Sequence, residues 1–134
     1  MDVLGEQGII QDLKMKNIKI LLAEDNPVNQ KVAVGILKKM GLSCEIAGNG
    51  LEAVAKLEKE QFDIVLMDIQ MPEMDGYEAL SIIKPKIPHV PVIALTAFAI
   101  HGDKEYAIDA GFVDYLTKPI LRNTLISTIQ KYII

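Results

Sequence analysis

Short apolar runs that end at a polar residue are the feature that most constrains the fold of this sequence. Three such runs are rich in Ile, Val and Leu and stop at a carboxylate or hydroxyl side chain: residues 20–23 before Glu24 and Asp25, residues 64–67 before Asp68, and residues 92–95 before Thr96. A fourth run, Tyr115-Leu116, stops just short of Lys118. Runs of this kind are typical of strands buried on both faces, as in a parallel sheet covered by helices. The sequence therefore predicts an α/β fold.

The polar residues that end these runs are expected to meet. The carboxyl ends of parallel strands share one edge of a sheet, and open α/β sheets bind their ligands at that edge. We therefore expect one site that contains Glu24, Asp25, Asp68, Thr96 and Lys118, although these residues lie far apart along the chain.

Helical segments alternate with the predicted strands. Asn26-Pro27 predicts a helix start, because an amide side chain can cap a helix and proline suits its first position. Gly41 predicts the end of that helix. Residues 1–17 contain neither a signal peptide nor a membrane-spanning run, and we interpret them as a leader or linker before a domain at residues 18–134.

Proline and glycine shape the segment after the third predicted strand. Pro72 and Gly76 predict a defined loop, since proline fixes φ and glycine permits positive φ. The helix that follows is predicted to end near Ile83, because Pro85 disfavours its continuation.

Charge and composition narrow the classes of partner. The 134 residues carry a net charge of −4 without a basic run, which argues against binding of nucleic acid or of an anionic membrane by this domain. Cys44 is the one cysteine and suits a reducing compartment, so we expect a cytoplasmic location.

The chemistry of the predicted site favours a cation and a phosphoryl group. Carboxylates from two strands repel each other unless one is protonated or a cation lies among them. Oxygen ligands without His or Cys favour Mg²⁺, which keeps several waters and accepts further oxygens from a phosphate. Lys118 adds a positive charge and Thr96 a hydroxyl donor. Together these groups indicate phosphoryl transfer to a carboxylate.

Four motifs resemble the receiver domain of two-component response regulators, and the resemblance as a whole covers residues 18–134. They are Glu24-Asp25-Asn26, residues 67–76 around Asp68, Leu95-Thr96-Ala97 and residues 115–119 around Lys118. Residues 23–30 look most like the C-terminal receiver of a hybrid sensor histidine kinase. The resemblance implies a doubly wound parallel sheet of five strands in the order 2-1-3-4-5, flanked by five helices.

The same resemblance implies roles for the acidic residues. Asp68 would accept a phosphoryl group from the phosphohistidine of a histidine kinase or histidine phosphotransfer domain. Asp25, Asp68 and the backbone carbonyl of Gln70 would bind Mg²⁺, and Glu24 would act on the ion through water. The domain would catalyse only its own phosphorylation and dephosphorylation.

Further implied roles concern the response to phosphorylation. Thr96 and Lys118 would contact the phosphoryl oxygens, and the Lys118-Pro119 bond is expected to be cis. Thr96 and Tyr115 would form a switch beneath a signalling face made by the fourth predicted helix, the fifth strand and the fifth helix, and this face would also allow a homodimer. Phe98 is predicted to hinder the hydrolytic water and so prolong the phosphorylated state.

Three other classes of protein share parts of this pattern. A phosphatase of the haloacid dehalogenase type also forms an aspartyl phosphate, but it needs a second aspartate two residues after its nucleophile, and Asp25 is followed by Asn26-Pro27. A flavodoxin-like FMN carrier would require a phosphate-binding first loop, which Glu24 and Asp25 would repel. A receiver-like module that is not phosphorylated remains as an alternative, although the complete set of five polar residues argues against it.

Overall fold

Five strands and six helices alternate along residues 3–97 and 102–133, the part of the chain that this computed structural model describes. The elements in chain order are α1 Val3–Met15, β1 Lys19–Ala23, α2 Pro27–Lys39, β2 Ser43–Ala47, α3 Gly50–Lys59, β3 Ile64–Asp68, α4 Gly76–Lys86, β4 Val92–Thr96, α5 Asp103–Ala110, β5 Asp114–Thr117 and α6 Arg122–Ile133.

The strands form one parallel sheet in the order β2-β1-β3-β4-β5, as predicted. Every residue of β3 and β4 is buried, which explains why their sequences are continuously apolar until the last residue. Asp68 lies beside Leu95 of β4, and Thr96 lies beside Thr117 of β5. The ends of the central strands therefore reach the same edge of the sheet.

Two apolar layers cover the sheet because successive strand residues point to opposite faces. Leu21 and Val65 belong to the layer beneath α3, α4 and α5. Ile20 and Leu66 belong to the layer beneath α1, α2 and α6. None of the helices in the described residues is long and apolar enough to cross a membrane.

The predicted boundaries of α2 are confirmed. Asn26 Oδ1 accepts hydrogen bonds from the backbone N–H groups of Val28 at 2.8 Å and Asn29 at 3.2 Å, and Pro27 is the first helical residue. Gly41 follows the helix with a φ of 76°, a conformation that glycine adopts without the steric cost of a side chain. These residues fix where α2 begins and ends.

The predicted end of α4 near Ile83 was wrong. The helix passes through Pro85 and ends at Lys86, and the backbone N–H of Ile87 still donates to the Ile83 carbonyl at 2.8 Å. Because Pro85 lies in the last turn, its missing N–H removes one helical hydrogen bond without preventing the next.

A sixth helix, α1, lies in the segment interpreted as a leader, whereas the sequence predicted five helices. Leu13 is fully buried in the layer beneath α2 and α6, and Ile9 and Ile10 pack against the same layer. The helix contacts α6. Its glycines at positions 5 and 8 weakened the helical signal, because glycine disfavours a helix, and its packing on the domain was not predicted.

Candidate functional site

Side chains at the carboxyl ends of β1, β3 and β5 meet at one edge of the sheet, as the sequence predicted. Lys118 Nζ lies 2.6 Å from Glu24 Oε2 and 2.8 Å from Asp68 Oδ2. Thr96 joins this group through its backbone carbonyl, which accepts a hydrogen bond from the Lys118 N–H at 2.7 Å. Glu24, Asp68 and Thr96 are all buried. The edge therefore holds two buried carboxylates that share one ammonium group.

Three carboxylates are close enough to bind one cation. One oxygen each from Glu24, Asp25 and Asp68 lies within 4.8 Å of the others. Asp25 is exposed, whereas Glu24 and Asp68 are buried, so the cluster opens to solvent on one side. Asp25 and Gln70 also line an open cleft beside the cluster. An all-oxygen set with access to water fits Mg²⁺, which retains part of its hydration shell.

Glu24 is held by donors from the start of α2. Its Oε1 accepts hydrogen bonds from the Asn26 N–H at 3.1 Å and from Asn29 Nδ2 at 3.4 Å. Its backbone carbonyl accepts one from Gln30 Nε2 at 2.6 Å. Both carboxylate oxygens therefore have protein partners, because Lys118 contacts the other one. Asn29 and Gln30 were missed from sequence, although their place in the first turns of a helix that starts beside the acidic residues was a usable signal.

Burial and nearby charges determine the protonation of Asp68. Burial raises the pKa of Asp68 to about 6. The hydrogen bond from Lys118 opposes this effect, the negative charge of Glu24 adds to it, and the hydrogen bond from the Gln70 N–H at 3.1 Å opposes it. Burial alone would lower the pKa of Lys118, but its hydrogen bonds with Asp68 and Glu24 outweigh burial and raise it. Lys118 therefore stays positively charged at neutral pH, whereas the negative charge of Asp68 is costly to bury.

The loop after β3 packs directly against Asp68. A Cβ atom on Gly76 would lie 2.5 Å from the Asp68 carbonyl oxygen, so only glycine fits there. The predicted reason for Gly76, a positive φ, was wrong, because the residue with positive φ in this loop is Glu73, at 67°. Gly76 is required instead by the close approach of two backbone segments. The Gly76 N–H also donates to the Ile69 carbonyl at 2.9 Å, which closes the loop over the end of β3.

The residues of the predicted switch lie next to each other. Thr96 is buried at the end of β4, and the half-buried Tyr115 ring packs against the layer beneath α4 and α5. Burial raises the pKa of Tyr115, and a side-chain hydrogen bond with Thr96 opposes that effect. The Lys118-Pro119 peptide bond is cis, as predicted. Phe98 lies outside the described residues.

Comparison with known proteins identifies a family. A family model described as the response regulator receiver domain matches residues 20–130. Hybrid signal transduction histidine kinase G of Dictyostelium discoideum is 40% identical over 122 residues, which cover 87% of this chain and 4% of that protein. The histidine-protein kinase BarA of Escherichia coli strain K12 is 40% identical over 116 residues, which cover 84% of this chain and 12% of that protein. The chain therefore spans only a small part of these relatives.

Solved structures give the same result. The receiver domain of the sensor histidine kinase PA1611 from Pseudomonas aeruginosa, with a magnesium ion coordinated in its active-site cleft, is 41% identical and superposes with a TM-score of 0.81 over 87% of this chain and 98% of that one. The receiver domain of the Saccharomyces cerevisiae response regulator Ssk1, in a structure with the histidine phosphotransfer protein Ypd1, gives 32% identity and a TM-score of 0.81 over 87% of this chain and 89% of the matched chain.

Proposed function

Because this chain belongs to the response regulator receiver domain family, we propose that it accepts a phosphoryl group on Asp68 from a phosphohistidine of a partner protein in a two-component phosphorelay. The observation that carries this proposal is the position of the Asp68 carboxylate, which is buried at the end of the central strand, 2.8 Å from Lys118 Nζ and close to the carboxylates of Glu24 and Asp25. The domain catalyses only its own phosphorylation and dephosphorylation.

In the proposed reaction, an oxygen of Asp68 attacks the phosphorus atom of the phosphohistidine. The O–P bond forms as the P–N bond breaks, and the electron pair of the P–N bond remains on the imidazole nitrogen. Asp25, Asp68 and the Gln70 carbonyl would hold Mg²⁺, with Glu24 acting through water. When bound, the ion supplies neutralisation of the carboxylate and phosphoryl charges.

Lys118 and Thr96 provide the remaining contacts to the phosphoryl group. Lys118 already lies 2.8 Å from Asp68 Oδ2, so its ammonium group can pass from the carboxylate to a phosphoryl oxygen with little movement. We propose that the Thr96 hydroxyl turns toward the phosphoryl group and that Tyr115 responds to this change, which would alter the surface formed by α5, β5 and α6. This surface is the proposed signalling face, since α5 and α6 are the fourth and fifth of the helices predicted from the sequence. It is also the proposed site of homodimer formation.

Exposed apolar side chains beside the site supply a surface for the phosphohistidine partner. Val28 and Val32 lie one turn apart on α2 and are 68% and 43% exposed, and Leu121 after β5 is 64% exposed. We call these three residues (Val28, Val32 and Leu121) the apolar rim. Val32 lines the same small pocket as Glu24 and Lys118, and so does Ile120, the residue before Leu121. We propose that a histidine phosphotransfer domain, or the corresponding domain of a histidine kinase, packs on the apolar rim.

Phosphotransfer from two donors tests the proposal. Leu121→Asp should slow transfer from a phosphorylated histidine phosphotransfer domain by about fivefold or more, because it places a charge in an apolar contact. The rate with acetyl phosphate, which needs no docking surface, should be unchanged. Ile108→Asp is the matched control, since Ile108 is an exposed apolar residue on α5. Equal slowing with both donors would contradict docking on the apolar rim, and phosphorylation of Asp68→Asn would contradict the assignment of the acceptor.

Two further parts of the proposal concern the cellular location and the boundaries of the domain. We place the domain in the cytoplasm, since its one cysteine, Cys44, is a free thiol and suits a reducing compartment. We also propose that residues 18–134 form the receiver domain, which the family match at residues 20–130 supports, and that residues 1–17 lead into it.

A further inference from the structure

The side chain of Gln30 bridges α2 and the acidic end of β1. Its Nε2 donates to the backbone carbonyl of Glu24 at 2.6 Å, six residues earlier in the sequence. Gln30 lies in the first turns of a helix whose start is fixed by the Asn26 cap and Pro27. The donor is therefore presented from a rigid element toward the point where the chain leaves the sheet.

The bond acts on the peptide unit that joins Glu24 to Asp25. The Glu24 N–H is fixed by a 3.0 Å hydrogen bond to the Ala47 carbonyl of β2, and its carbonyl is fixed by Gln30. Because the peptide unit is planar, holding the carbonyl of Glu24 also sets the direction of the following N–H and Cα of Asp25.

The position of the Asp25 carboxylate is determined by its backbone more than the positions of the other two carboxylates are. Glu24 and Asp68 are buried and are both contacted by Lys118, whereas Asp25 is exposed at the open side of the cluster. The position of the Asp25 carboxylate relative to the other two therefore follows from the orientation of the peptide that carries it.

We propose that Gln30 is a positioning residue for the cation site, which it holds in a binding-competent arrangement by fixing the Glu24–Asp25 peptide. It touches neither the ion nor the phosphoryl group, and it acts through the backbone that carries Asp25. This inference rests on the proposed Mg²⁺-dependent function. It adds a residue of α2 to the groups that determine the affinity for the ion.

Magnesium titration of the phosphate-free domain, followed by the amide NMR signals of Asp25 and Gln70, tests the inference. Gln30→Met keeps the length of the side chain and removes its N–H donors. It should weaken Mg²⁺ binding by about tenfold, the range in which groups that orient metal ligands act. The free energy of unfolding, measured in the same buffer without Mg²⁺, separates this effect from a loss of stability.

Asn29→Leu is the matched control, because it removes a side-chain amide from the preceding residue. The bond from Asn29 to Glu24 is long, at 3.4 Å, and the same oxygen keeps its bond from the Asn26 N–H. This variant should weaken Mg²⁺ binding by about twofold or less. Equal weakening in the two variants would overturn the inference.

Two other outcomes separate a failure of this inference from a failure of the proposed cation site. If Gln30→Met lowers the free energy of unfolding but binds Mg²⁺ as tightly as the wild type, Gln30 is only a structural residue and the inference fails while the proposed function stands. If the wild type shows no Mg²⁺ binding that Asp25→Ala abolishes, the proposed cation site itself fails.

Discussion

The burial of Asp68, the proposed phosphoryl acceptor, opposes the stability of the fold. Its carboxylate is buried and lies near Glu24, so its folded-state pKa of about 6 exceeds the reference value of 3.8. A carboxylic acid with a raised folded pKa destabilises the fold when it is ionised. This cost is fully present above about pH 6 and disappears as the pH falls toward 3.8, where the group is protonated in both the folded and unfolded states.

Asp68→Asn should therefore stabilise the domain at pH 7.5 in metal-free buffer. The expected increase in the free energy of unfolding is about 1–3 kcal/mol, because the difference between a pKa of 3.8 and one of about 6 corresponds to about 3 kcal/mol at most. The difference between variant and wild type should shrink as the pH is lowered toward 4. Urea denaturation at several pH values measures it. A variant less stable than the wild type at pH 7.5 would show that the ion pair with Lys118 outweighs the cost of burial.

Among the elements, β3 and α4 are connected by a loop in which one glycine is essential. Gly76 lies so close to the Asp68 backbone that a methyl group has no room, whereas Gly35 in the interior of α2 has nothing within 4 Å of its added Cβ position. Replacing the two glycines by alanine should therefore have opposite effects on stability, although both glycines lie in helices.

Gly76→Ala and Gly35→Ala form a matched pair that tests this difference. Gly76→Ala should lower the free energy of unfolding by about 1–3 kcal/mol through a steric clash with the end of β3. Gly35→Ala should raise it by about 0.5–1 kcal/mol, because alanine favours the helix over glycine. Chemical denaturation measures both values. A destabilised Gly35→Ala together with a neutral Gly76→Ala would contradict the described packing.

Elements with a strong local signal and the meeting of the strand ends were predicted from the sequence, whereas contacts made by helices and loops with distant parts of the fold were not. The buried strands were recognisable because both of their faces are apolar, and this also placed Asp68 and Thr96 at one edge. The continuation of α4 through Pro85 depends on which turn the proline occupies, and the requirement for Gly76 depends on a backbone neighbour distant along the chain. The contact between Gln30 and Glu24 likewise arises only after α2 is placed against β1.

At the scale of the whole molecule, α1 extends the apolar layer that α2 and α6 cover. Leu13 is fully buried in that layer, whereas Gln11 on the same helix is exposed to solvent. The helix Val3–Met15 within this segment therefore packs on the sheet domain.

Leu13→Ala should lower the free energy of unfolding by about 2–4 kcal/mol, a cost typical of a leucine removed from a packed core. Gln11→Ala on the same helix should change it by no more than about 0.5 kcal/mol. Thermal and urea denaturation of both variants measure the effect. If Leu13→Ala is as stable as Gln11→Ala, α1 does not pack on the domain in solution.

Asp68 is the proposed single phosphoryl acceptor of this domain. The most direct test is the intact mass of the wild type and of Asp68→Asn after incubation with acetyl phosphate and Mg²⁺. The wild type should gain one phosphoryl group, which should be absent when EDTA replaces Mg²⁺, and Asp68→Asn should gain none while remaining folded. A phosphoryl group on folded Asp68→Asn, or a wild type that gains none in the presence of Mg²⁺, would contradict the account.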